Sequence, residues 1–122
     1  MNRLEYRFSC LDGNYFFVCE ITDTAVFKIE TDIPELENKE GQLDDEKKEA
    51  FIKELKEAGI ERWERSYHGD SAIEDAVKWY VKYNEDDREY VSDGEESFEP
   101  YNYEHLIRAL MICDEKAEYF LI

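Results

Sequence analysis

From Leu4 to Ile21 apolar and polar residues alternate around an Asp12-Gly13 pair. A period of two marks strands with one buried face, and Asp-Gly supplies the positive φ angles of a two-residue hairpin loop. If Leu11 pairs with Asn14, then Cys10 faces Tyr15, Phe8 faces Phe17, Tyr6 faces Cys19 and Leu4 faces Ile21, all on one side of the pleat. Loop chemistry and hydrophobic pattern thus choose the same register. A third strand, Ala25 to Glu30, follows an Asp23-Thr24 turn and completes a meander.

Ile33 to Leu43 is acidic, contains Pro34 and Gly41 and has no sustained period, so it reads as a loop crossing one edge of the domain. Asp44 or Asp45 then caps a helix running to about Ala58, with Phe51, Ile52, Leu55 and Ala58 as its apolar stripe and Gly59 as its stop. Ile60 to Tyr67 reads as a strand or an irregular extended segment. Alternation returns at Ala76 to Tyr83, where Val77, Trp79, Val81 and Tyr83 interleave with Lys78, Tyr80 and Lys82. Arg88 to Ser92 comes back across an Asn84 to Asp87 loop, which sets Lys82 opposite Glu89. Asp93-Gly94 breaks that strand, and Pro100 and Asn102 open a helix with Tyr103, Leu106, Ile107, Leu110 and Met111 buried. Glu118 to Ile122 adds a short strand. These elements predict one α+β domain over residues 1–122: a two-layer arrangement of an antiparallel sheet, made of a three-stranded meander plus a second hairpin, with two helices on one face.

The second half carries Gly59-Ile60, Trp63, Tyr67, Trp79, Ser92-Asp93-Gly94 and Pro100 before the last helix. This order resembles a pattern in small uncharacterised bacterial and phage α+β proteins, a Trp…Tyr segment, a strand, a Ser-x-Gly turn, a Pro and a closing helix. The resemblance covers roughly half the chain, implies the fold and brings no catalytic residue with it.

Charge narrows the partners. There are 15 Lys and Arg against 32 Asp and Glu, a formal charge of -17, which opposes approach to nucleic-acid phosphates or an anionic membrane and attracts basic macromolecules. Hydrophobic residues at 43% and aromatics at 15% separate the chain from disordered acidic tails. No stretch nears the roughly 18 apolar residues of a membrane span. The start, Met1-Asn2-Arg3-Leu4-Glu5, lacks the layout of a signal peptide. Cys10, Cys19 and Cys113 are odd in number and lie in apolar periodicity, so reduced, buried thiols and a cytoplasmic location are expected.

Chemistry-bearing motifs are sparse. No CxxC, HxxxH or HExxH spacing, Gly-rich phosphate loop, nucleophile elbow or calcium loop is present, so the sequence points to no metal, no cofactor and no catalytic residue. His68, in a turn-like run, and His105, in the first turn of the last helix, read as surface or capping residues. What stands out is acid in three stretches: Glu35, Glu37, Glu40, Asp44, Asp45, Glu46 and Glu49; Glu85, Asp86 and Asp87; and Asp93, Glu95, Glu96 and Glu99. Such a surface keeps a protein soluble. Its self-repulsion also destabilises the fold, which suggests a use: a rigid array of carboxylates imitates a phosphate backbone. In charge alone the chain resembles acidic anti-CRISPR and anti-restriction inhibitors. The expected function is a non-enzymatic inhibitor occupying a basic surface of a nucleic-acid-handling protein by DNA mimicry. The alternatives are an immunity protein neutralising a basic toxin, and a small-ligand protein with a pocket of Tyr6, Trp63, Trp79 and His68.

Overall fold

A computed structural model describes residues 2–67, 77–95 and 100–121. Among these residues seven strands form one sheet: β1 (Asn2–Cys10), β2 (Gly13–Ile21), β3 (Ala25–Thr31), β4 (Lys39–Leu43), β5 (Ser66–Tyr67), β6 (Lys78–Glu85) and β7 (Arg88–Glu95). Their order is β4-β3-β2-β1-β6-β7-β5, antiparallel except where β5 meets β7. The described residues also form two α-helices, α1 (Asp45–Ala58) and α2 (Tyr103–Cys113), followed by 3-10 segments at Ile60–Arg62 and Glu115–Leu121 respectively. The α+β class and the mostly antiparallel sheet agree with the sequence pattern. The strand count does not, because a meander plus one hairpin omits β4 and β5. No helix among the described residues is long and apolar enough to cross a membrane.

The first hairpin closes two residues from the expected register. Cys10 pairs with Gly13, Phe8 with Tyr15, Tyr6 with Phe17 and Leu4 with Cys19, leaving Leu11-Asp12 as the loop. Positive φ falls on Gly13 (141°) and not on Asp12. A shift of two preserves every side chain's face, so the hydrophobic pattern could not detect it. A Cβ on Gly13 would also collide with the Asp32 carboxylate, whose Oδ1 accepts the Asn14 N–H at 2.6 Å. In the second hairpin the loop is Asp86-Asp87, with Asp86 at φ 56°, and Lys82 pairs with Val91. Its ammonium still reaches Glu89 diagonally, at 3.6 Å.

Gly94 does not break β7, which runs on to Glu95. Gly94 is opposite Trp79, and a Cβ there would lie 2.7 Å from both the indole ring and the Tyr67 carbonyl. The glycine is needed for close approach of an aromatic side chain rather than for a turn. The chain end likewise forms the 3-10 segment and not a strand, with Phe120 packed on Phe8 and Tyr15 at ring-centroid distances of 4.5 and 4.7 Å.

On one face of the sheet the pairing aligns apolar rows: Ile29, Phe17, Tyr6 and Val81; then Phe27, Cys19, Leu4 and Tyr83. Phe51 of α1 stacks on Phe17, and Tyr103 of α2 meets Trp79 and shares a 2.6 Å hydrogen bond with the Tyr6 hydroxyl. α1 follows its sequence signals: the Asp44 carboxylate accepts the Lys47 N–H at 2.8 Å, and Gly59 ends it in the left-handed region at φ 63°. Phe17, Phe51, Leu55, Trp79, Leu106 and Leu110 are buried as expected, while Phe8 is half-buried.

Truncating these helix stripes should therefore be felt throughout the domain. Leu55→Ala and Leu110→Ala should each cost about 2 to 5 kcal/mol in urea unfolding with an unchanged slope. A loss within error would remove the helices from the core.

Candidate functional site

β4 is the end strand of the sheet, and the direction of its backbone groups can be worked out from its neighbours. The Thr31 N–H reaches Asn38 Oδ1 at 2.8 Å, so the Thr31 backbone faces β4; the Asp32 N–H reaches the Asn14 carbonyl at 3.2 Å, so even-numbered residues face β2. Alternation along an antiparallel ladder then makes Ala25, Phe27 and Ile29 bond to Leu43, Gly41 and Lys39, and turns the amides and carbonyls of Glu40 and Gln42 outward. Among the described residues nothing is hydrogen-bonded to these outward groups.

Beside this edge lies a groove of about 640 Å³ between β4, the start of α1 and the end of α2. Glu37, Glu40, Asp44, Asp114 and Glu115 line it, together with Lys39, Lys47 and Lys116. Two shallower depressions, each about 500 Å³, also adjoin β4, and Glu40 lines both. Three groove carboxylates have structural duties. Asp44 caps α1, Glu37 holds Lys116 at 3.1 Å, and Asp114 Oδ1 accepts the Lys116 N–H at 3.1 Å. Asp114 is buried, and Tyr15 donates to its Oδ2 at 3.5 Å. Burial, and then this carboxylate, push the Tyr15 phenol far above its ordinary range. α2 ends here without a basic residue in its last turn, so its terminal carbonyls add negative partial charge.

The remaining acids are divided. Glu85, Asp86 and Asp87 sit at the β6–β7 turn, where the Asp86 N–H donates to Asn2 Oδ1 at 3.2 Å. This end of the sheet also carries the β2–β3 turn, whose Thr22 and Asp23 carbonyls accept Lys48 Nζ from α1 at 3.1 and 2.7 Å. Asp45 and Glu46 lie in the first turn of the same helix. Glu85 therefore shares an end of the sheet with the α1 N-terminus, whereas Glu35 and Glu37 lie toward the other end, beyond β3. Asp93 takes no part in the edge: it binds Arg65 at 2.7 Å and Ser66 at 3.3 Å, fastening β5 to β7. Glu95 is buried. Glu96, Glu99 and His68 lie outside the described residues.

Asp114 and Glu115 escape a search for acidic runs because they follow an apolar helix. Glu61 escapes it too, yet with Glu85 and Asp86 it reinforces the effect of burial in pushing Tyr83 up to about 12. Of the aromatic pocket suggested by sequence, Tyr6 and Trp79 are buried, and Trp63 packs on Trp79 at 6.0 Å and on Tyr103 at 6.2 Å, so these rings belong to the packed interior. His105 does not stand as a surface residue: its Nδ1 is 2.8 Å from Glu54 Oε2, tying α2 to α1. Among the described residues no three His, Cys, Asp or Glu side chains gather to hold a metal ion. No family model matches the chain, and no curated protein matches it.

The three thiols are free. Burial pushes Cys19 up to about 12 and raises Cys113 further, while Cys10 is half-buried, so a thiol reagent should label native Cys10 well before the other two. Cys19 and Tyr83 hold their protons more tightly folded than unfolded. Their contribution to stability is complete below the ordinary values of 9.0 and 10.0 and is lost as pH climbs toward about 12. Urea midpoints should fall across that window, and Tyr83→Phe should flatten its upper part.

Proposed function

We propose that the chain is a non-enzymatic, cytoplasmic binding protein that occupies a basic surface of a nucleic-acid-handling protein, with the β4 edge and the acids around it as the contact. One observation supports this most: Glu37, Glu40, Asp44, Asp114 and Glu115, from two distant parts of the chain, converge on one groove, where they outnumber Lys39, Lys47 and Lys116, beside a strand with one edge open. Among the described residues Asp45, Glu46, Asp86 and Asp87 form no ion pair with another described residue, and Glu40 and Glu85 have Lys28 and Arg88 as cross-strand neighbours without a close ion pair. Reading the architecture as two layers, with helices over one sheet face, leaves this edge open to a partner. Carboxylates held on a strand and a helix start present fixed negative charge, which is the basis on which a protein can stand in for phosphates.

The test is kinetic. The on-rate for the basic partner should fall steeply as salt shortens screening to about 8 Å at physiological strength, and double-stranded DNA should compete. Glu40→Lys with Asp45→Lys should weaken binding by roughly tenfold or more. The same number of reversals at Glu57 and Glu118, away from the groove, should have a much smaller effect. Equal loss from both pairs, or binding indifferent to salt, would show that the acid serves solubility alone.

A further inference from the structure

Charge can attract a partner without fixing how it lies. β4 supplies a direction as well: the outward amides and carbonyls of Glu40 and Gln42 are two donors and two acceptors at the spacing of a strand, next to an open groove. We propose that β4 takes up an extended, cationic peptide segment as an additional antiparallel or parallel strand, held by the Glu40 and Gln42 backbones. This rests on the acidic-binding function above and specifies the form in which the partner engages it.

Strand addition to a sheet edge draws affinity from main-chain hydrogen bonds and specificity from the alternating side chains. Here the alternate side chains would meet two different surroundings. One set would enter the groove, where Gly41 offers no side chain and the Phe27 ring lies beneath; a Cβ at Gly41 would come within 3.2 Å of that ring. The other set would lie by Glu40 and Gln42, over the depressions on the opposite face. The groove favours cations, because Glu37, Glu40, Asp44, Asp114 and Glu115 outnumber Lys39, Lys47 and Lys116 along it, whereas on the other face Glu40 lies opposite Lys28.

A second copy of the chain is the competing occupant, and charge argues against it. Joining β4 to β4 would bring together two molecules of formal charge -17. The strand is also short and carries Lys39 and Glu40, devices that discourage self-pairing of an edge. A basic segment does not meet the first of these obstacles, the repulsion of net charge.

The probe is a short blocked peptide of alternating Lys and Val, compared with the same peptide methylated on every backbone nitrogen. Methylation keeps the charge and removes pairing. The unmodified peptide should bind roughly thirtyfold more tightly, the loss expected from two backbone hydrogen bonds, and should slow exchange of the Glu40 and Gln42 amides. Gln42→Pro removes one outward donor whose N–H is not bonded to β3, a place where a strand tolerates proline, and should weaken binding roughly tenfold. Amide exchange in the native protein decides the matter should that variant fail to fold. Equal, salt-sensitive binding of both peptides would overturn strand addition and leave the acidic-binding function standing. Salt-insensitive binding of the unmodified peptide alone would support strand addition and remove the charge-based function. Binding of neither, or protection of the amides by self-association without peptide, would overturn the proposal.

Discussion

β1 is hydrogen-bonded along both edges, to β2 from Asn2 to Cys10 and to β6 from Arg3 to Ser9. This double pairing joins the first four strands to the last three and puts an apolar row through Leu4 and Tyr6 at the centre of the sheet. It also sets a problem on the opposite face, where Glu5 is buried between neighbouring strands. A buried carboxylate is tolerated only with partners, and Arg3 and Arg7 each reach it at 3.1 Å. The sheet ends at β4, beyond β3, on one side and at β5, beyond β7, on the other.

The same arrangement distributes charge unevenly. Many of the cations lie along the sheet face that carries Glu5, where Lys28 meets Glu30 at 3.0 Å and Lys82 meets Glu89. Arg7 is further held between the rings of Phe16 and Tyr80, at 5.2 and 5.6 Å. Exposed pairs of this kind contribute little stability. Their larger effect is to cancel field over that face, so that the unbalanced acid acts mainly from the β4 edge, the α1 start and the β6–β7 turn.

Much of this was legible locally. Asp44, Phe51, Leu55 and Gly59 announce α1 through capping and periodicity, and the alternation of β1, β2 and β6 places the right residues inside. β4 was hidden because its inward positions are Lys39, Gly41 and Leu43, which show no hydrophobic alternation. Gly94 looked like a breaker because a sequence cannot show that the Trp79 ring lies over it. The acids were visible as a set, but whether each is free depends on partners far along the chain: Asp93 on Arg65, Glu37 on Lys116. Nothing local pairs Leu4 with Tyr83, so the strand order and the groove wall at Asp114 had no signal to find.

The double pairing of β1 also has a dimension in time. As a ribosome delivers the chain, β1, β2, β3 and β4 can pair long before β6 exists. Until then the inner edge of β1 is bare, with Leu4, Tyr6 and Phe8 beside it. Closing the sheet requires contacts between the beginning and the later part of the chain, the kind of long-range closure that slows folding. During that interval the nascent meander has two open edges, and the abundant carboxylates around it, in mutual repulsion, oppose the pairing of one unfinished chain with another.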